Sequence, residues 1–167
     1  MTLTHLDAQG RAQMVDVGAK AHTERAAVAL ARLRMRAEVL EQVFGEGVAK
    51  GDALAVARVA GIMAAKQAGA LIPLCHPLPL SYVGVRFARH EGALWIQAEA
   101  RCVGPTGVEM EAMTAASVAA LTLYDMAKAL DKAMIIEQVA LWQKRGGKSG
   151  DFTHPDPVAP PEGLAWR

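Results

Sequence analysis

Apolar and polar positions alternate most clearly in SYVGVRFARHEGALWIQAEARCV, residues 81–103, and the pattern breaks only at His90-Glu91-Gly92. Two alternating runs about a short glycine-containing break predict a β-hairpin. Upstream, the run Arg25 to Met35 puts Ala27, Ala29, Ala31, Leu33 and Met35 on one face of a strand, although its many alanines leave a helix open. MVDV, residues 14–17, also reads as extended. Arg36 to Phe44 predicts a short helix closed by Gly45. Asp52 is a good N-cap for a second helix reaching about Ala68, which stops at Gly69 and Pro73. Gly104-Pro105-Thr106-Gly107 turns the chain into a long helix from about Val108 to Asp131, and a last strand covers Met134 to Gln143.

The order β-α-α-β-β-α-β predicts an α+β fold, a ferredoxin-like antiparallel sheet with helices packed on one face. It occupies a single domain over residues 13–152. A flexible N-terminus (1–12) and a Pro-rich tail (153–167) are expected at its ends. The middle of the long helix, AASVAALTLY, is apolar on nearly every side and therefore asks to be buried all round. One four-stranded sheet covers only one side of it, so a second copy of the chain is expected as partner.

Composition narrows the class. Of 167 residues, 52% are apolar, enough for a real core, and the net charge of +1 supplies no bulk attraction for nucleic acid or membrane. The start, MTLTHLDAQGR, has neither a basic n-region nor an apolar stretch, which predicts a cytoplasmic protein without a signal peptide. Between Leu54 and Leu80 the apolar run is interrupted by Arg58, Lys66 and prolines, so no bilayer span is expected. Cys75 and Cys102 are expected as free thiols. The chain has no Asn, a thermolabile residue depleted in hot habitats.

Four stretches carry candidate chemistry. RGGKSGDF, residues 145–152, ends like a phosphate-binding P-loop, but the first glycine of that pattern falls on Trp142 and the proline-rich DFTHPDP that follows cannot be the required helix. A basic glycine turn able to hold an anion remains. LIPLCHPL holds His76 between Cys75 and Pro77 in an apolar loop; no second CxxC or HxxxH completes four zinc ligands, and no metal site is expected. GVEMEAMT places Glu109 and Glu111 in the first turn of the long helix, where carboxylates also complement the helix dipole. YDMAKALDK puts Asp125 and Lys128 on one helix face, either as a surface ion pair or as a lysine whose acidity a carboxylate sets. Glu111 and Asp125 stand roughly 21 Å apart on a helix rising about 1.5 Å per residue. Either they serve separate sites, or one site takes the two helix ends from different subunits.

LIPLCHPL, GVEMEAMTAASVAALTLYDMAKA and GGKSGDF, in this order, resemble the MoaC family, the cyclic pyranopterin monophosphate synthases of molybdenum cofactor biosynthesis. MVDVGAK and AKGDALAVARVAGIMAAKQ fit as well, so the likeness spans roughly residues 5 to 152. The resemblance implies a ferredoxin-like α+β fold and a hexamer built as a trimer of dimers, with active sites at subunit interfaces. It implies a lyase that converts 3′,8-cyclo-7,8-dihydroguanosine 5′-triphosphate into cyclic pyranopterin monophosphate and pyrophosphate by acid-base catalysis. It also implies no resident cofactor, although magnesium is compatible with the triphosphate. Carried over by position, the catalytic groups are Asp125, Lys128, Lys50, His76, Glu109 and Glu111. Substrate contacts fall on Leu74, Cys75, His76, Met110 and Glu111, with Arg25 and Lys148 toward the triphosphate. Many relatives have Cys where this chain has Ala127, so a thiol there is not required. Two other readings stand beside this one. A non-catalytic ferredoxin-like nucleotide- or RNA-binding module would need aromatic stacking platforms on its sheet, and only 5% of residues are aromatic. A structural oligomer would use the polar clusters as interface salt bridges.

Overall fold

The computed structural model describes residues 5–45, 47–156 and 161–167. The expected N-terminal segment (1–12) and tail (153–167) therefore fall partly outside the described residues. Strand β1 (Thr23–Arg34) is the centre of a five-stranded antiparallel sheet, flanked by β3 (Ala93–Gly104) and β4 (Ile135–Arg145). Strand β2 (Leu80–His90) extends the sheet beyond β3, and the two-residue β5 (Phe152–Thr153) pairs with β4. Among the described residues four helices complete the domain: α1 (Ala37–Phe44), α2 (Ala53–Lys66), the single turn α3 (Ala68–Leu71) and α4 (Glu109–Ala127). The sheet order β2-β3-β1-β4-β5 contains two interleaved β-α-β crossovers, so the fold is α+β and compatible with the ferredoxin-like arrangement.

Local chemistry explains the elements. Val85, Phe87, Leu94, Ile96, Ala98 and Ala100 alternate along β2 and β3 and all lie in the core, so the hairpin's register is fixed by burial. Its loop is Glu91-Gly92, both at positive φ (46° and 71°), as a two-residue I′ turn requires. The alanine-rich run from Thr23 to Arg34 is strand, not helix. It is wedged between β3 and β4, where small side chains let α4 sit close to the sheet. Asp52 caps α2 by accepting from the Ala55 amide at 3.0 Å. The long helix stops at Ala127, four residues sooner than its periodicity predicts. Asp131 instead accepts from the Arg36 amide at 3.0 Å and from the Ala133 amide at 2.9 Å, an Asx-type competition with helix continuation.

Helix α4 is packed on β1, β3 and β4, and α2 is laid across both α4 and β2. Between them they bury Ala112, Ala115, Ala116, Ala119, Ala120 and Leu123 completely or nearly so. Most of the apolar circumference that asked for a partner is thus satisfied within the chain. What stays exposed is a stripe at helical spacing on α2, Val56, Val59 and Met63, with Leu121 of α4 also exposed. MVDV joins no strand. At the other end, Arg167 exchanges backbone hydrogen bonds with Phe87 on the outer edge of β2, at 2.9 and 3.0 Å. Among the described residues no helix is long and apolar enough to cross a membrane.

Candidate active site

The site is built where β1 begins and where β3 and β4 end. Strand register puts Thr23 opposite Gly104 and Ala26 opposite Arg145, so the loop 104–108, the glycine turn after β4 and the start of β1 converge. A cleft of about 910 Å³ opens there, lined by Lys20, Arg25, Lys144, Arg145, Lys148 and Ser149 among others. It meets a second cleft of about 510 Å³ whose walls include Leu74, Cys75, His76, Glu109 and Met110. Lys20, Thr106, Gly107 and Glu109 line both. One trough therefore runs from a cationic end to an acid-base end.

At the cationic end Arg25 reaches over the glycine turn. Its guanidinium donates to the carbonyls of Gly104 (3.3 Å) and Pro105 (3.5 Å). Lys144 Nζ donates to Ser149 Oγ at 2.6 Å and lies 3.7 Å from Glu109 Oε1, linking the anion turn to the carboxylate. The motifs assign no role to Lys144 or Lys20. The only signal for Lys144 is its place at the end of a strand, two residues before the glycine pair.

At the acid-base end Glu111 is 2% exposed. Cys75 donates its thiol proton to Glu111 Oε1 at 3.8 Å, and Oε2 has no partner among the described residues. Burial, more than any neighbour, pushes the Glu111 carboxyl above its usual range, and Glu109 adds to the effect. The Cys75 thiol is pushed up too, first by burial and then by Glu111 and Glu109. His76 Nε2 donates to the Val15 carbonyl at 2.7 Å, which assigns the proton to that nitrogen because a carbonyl only accepts. The MVDV segment is thus the strap that orients His76. Gly69 supports the same loop from below: a Cβ there would meet Pro77 Cα at 3.1 Å and the His76 carbonyl at 3.3 Å. Replacing Gly69 with Ala is expected to displace Cys75 and His76 by a few tenths of an ångström. Activity should fall about tenfold with little change in melting temperature. Wild-type steady-state kinetics in that variant would refute the supporting role.

Asp125, Lys128 and Lys50 form a separate cluster at the far end of α4. Lys50 is carried by a tight turn, Val48 to Gly51, in which Gly51 has φ 103°. Its Nζ donates to Asp125 Oδ2 (2.8 Å) and to the Asp125 carbonyl (2.9 Å), while Lys128 Nζ lies 2.7 Å from Oδ1. Hydrogen bonds from Lys128 and then Lys50 hold the Asp125 carboxyl down to about 2, so it is ionised throughout the neutral range. The same pairing raises Lys128 above the usual lysine range. All three side chains are about half exposed. The structure thus gathers the candidates into two groups: Arg25, Leu74, Cys75, His76, Glu109, Met110 and Lys148 along the trough with Glu111 buried behind Cys75, and Lys50, Asp125 and Lys128 apart from them. Both cysteines are free, Cys102 lying buried on β3. On the open sheet face Trp95 is buried beneath Arg32, while Tyr82 is about half exposed with Arg101 over its ring at 4.8 Å, so no row of bare aromatics is presented there among the described residues.

Sheet, helices and trough define an α+β enzyme domain with a small-molecule cleft. The sequence model of the MoaC family matches residues 14–147, and the chain belongs to that family. It is 59% identical over 155 residues to the cyclic pyranopterin monophosphate synthase of Herpetosiphon aurantiacus, covering 92% of this chain and 94% of that protein. Its identity to the protein of the same name from Nostoc sp. is 58% over 157 residues, covering 93% and 94%. The one from Novosphingobium aromaticivorans is 57% identical over 150 residues, covering 90% and 96%.

Proposed function

We propose that this chain is a lyase converting 3′,8-cyclo-7,8-dihydroguanosine 5′-triphosphate into cyclic pyranopterin monophosphate and pyrophosphate, in the cytoplasm, as a step of molybdenum cofactor biosynthesis. The observation that carries this reading is the continuity of the trough: cations at one end, thiol and imidazole at the other, with Glu109 between and Glu111 buried behind Cys75. The triphosphate lies against Arg25, Lys144 and Lys148, whose fixed charges stabilise the departing pyrophosphate without reorganisation. The guanine-derived rings lie toward Cys75, His76 and Glu109. Burial pushes the Glu111 carboxyl toward its protonated form, which suits it to the proton transfers of ring opening. The rearrangement transfers no net electrons, so acid-base groups suffice for its redox balance. Any Mg²⁺ arrives with the triphosphate as part of the substrate.

Asp125 with its two lysines is too far along α4 to touch the same small molecule. We assign it to the trough of a neighbouring subunit in a hexamer, a trimer of dimers. The exposed stripe of Val56, Val59 and Met63 supports burial against another copy. The test of the function is direct: purified protein is given the cyclised triphosphate, and pyrophosphate and the pterin are followed by mass spectrometry. Binding without pyrophosphate release would overturn the lyase reading in favour of a binding module.

Lys148 gives a sharper local expectation. It lines the cationic end and belongs to an exposed turn rather than to the core. Lys148→Ala should raise KM for the triphosphate about tenfold and leave the melting temperature unchanged. It should uncover no ATP hydrolysis, because no P-loop is present. Strong Mg²⁺-dependent ATPase activity in the wild type would contradict that.

A further inference from the structure

Two glycines in the trough have charged side chains where a β-carbon would be. A Cβ on Gly107 would stand 1.9 Å from Glu109 Oε2 and 2.8 Å from Oε1, so the carboxylate lies directly on the glycine. A Cβ on Gly147 would stand 1.8 Å from Arg25 Nη1 and 3.0 Å from Cζ, so the guanidinium lies on that glycine. One seated group, Glu109, is shared by the two clefts; the other, Arg25, belongs to the cationic one and ties loop 104–105 to the turn after β4. We propose that Gly107 and Gly147 are positioning residues, each providing the empty space that holds one charged group of the site in its working place. Gly107 seats the Glu109 carboxylate between the clefts; Gly147 seats the Arg25 guanidinium at the anion end. The inference deepens the proposed function and rests on it for the roles of the two groups.

Steric logic predicts what fails. The atoms in the way are the far ends of flexible side chains, so an added methyl evicts the side chain and leaves the backbone in place. Gly107 is not in the left-handed region, and alanine there carries no backbone strain. Gly147 is at φ 86°, where alanine is strained as well as crowded. Gly150 supplies the matched control. It lies three residues further on at φ 69°, and a Cβ there meets nothing within 4 Å. Gly150→Ala therefore introduces the strain without touching Arg25.

The experiment measures inorganic pyrophosphate binding by calorimetry and turnover of the cyclised triphosphate in the full-length oligomer. Gly147→Ala is expected to weaken pyrophosphate about tenfold, and Gly150→Ala less than twofold. Arg25→Ala and Arg25→Ala/Gly147→Ala should bind it within about twofold of each other, the margin that loop strain alone allows, since the crowding acts through the arginine. Gly107→Ala should not weaken pyrophosphate, yet should lower kcat about tenfold at unchanged KM. Equal losses from Gly147→Ala and Gly150→Ala would assign the effect to loop strain and overturn the seat for Arg25. A further loss of about tenfold from Gly147→Ala in the Arg25→Ala background would do the same, as would a wild type that ignores pyrophosphate. Wild-type kcat in Gly107→Ala would overturn the seat for Glu109. Should no variant, wild type included, turn over the substrate, the lyase reading fails, while the pyrophosphate comparison still decides the role of Gly147.

Discussion

Glu111→Ala and Asp125→Ala, each inactive by at least a thousandfold as pure oligomers, should restore one another when unfolded together and refolded as a mixture. Both residues lie on α4, fourteen positions apart, and that helix is continuous from Glu109 to Ala127. A rise of about 1.5 Å per residue separates them by roughly 21 Å, more than one small reacting centre can bridge. Glu111 is buried behind Cys75, a wall of the trough, whereas Asp125 sits with Lys50 and Lys128 at the other end. If each working site combines the trough of one subunit with the aspartate cluster of another, a mixed pair contains one interface with both wild-type groups and one with both defects. Random mixing at equal ratio should then return about a quarter of wild-type activity. Subunit exchange is verified by native mass spectrometry. Mixed oligomers that stay inactive would show that each subunit uses its own residues and would remove the shared-site assignment. The recovery is specific to sites shared across an interface, so a general stabilising effect of one mutant on the other cannot imitate it.

The second large effect is on stability. Gly61 lies in α2 where that helix crosses α4, and a Cβ there would stand 2.9 Å from the Ala115 carbonyl oxygen, 3.1 Å from Val85 Cγ2 and 3.4 Å from Ala119 Cβ. Unlike the seats in the trough, the nearest atom is helix backbone and cannot swing away. Gly61→Val must push α2 off α4 and partly uncover the alanine seam of Ala115, Ala116, Ala119 and Ala120, all fully buried. Overpacking of this kind costs about 1–3 kcal/mol, and the lost fit along the seam adds to it. A loss of about 3 kcal/mol lowers the melting temperature by roughly 6–12 °C in a chain of this size. Thermal unfolding at fixed protein concentration checks it, the concentration being held because assembly contributes to apparent stability. An unchanged melting temperature would mean that the helices can separate at no cost, against the close approach seen here.

Much of this protein follows from its order of residues. Period-two alternation on both sides of Glu91-Gly92 specified the hairpin, because one face of each strand had to be buried. Asp52 announced its helix because a side-chain acceptor there satisfies an otherwise free amide. The motif-bearing stretches named most of the candidate groups, and two of them, Asp125 and Lys128, are paired by the helix repeat alone. Position in the chain could not say that Lys50 completes that pair from 75 residues away, nor that Lys144 links Ser149 to Glu109. Nor could it stop α4 at Ala127, since Asp131 competes only once the Arg36 amide, 95 residues distant in sequence, is beside it. The alanine-rich run of β1 was equally ambiguous until β3 and β4 flanked it on both sides. Local pattern determines what depends on near neighbours: strand face, turn, cap and i to i+3 pairing. Which distant groups share a cleft, and which glycine lies empty beneath a charged side chain, depends on three-dimensional proximity, and only the tertiary structure decided it.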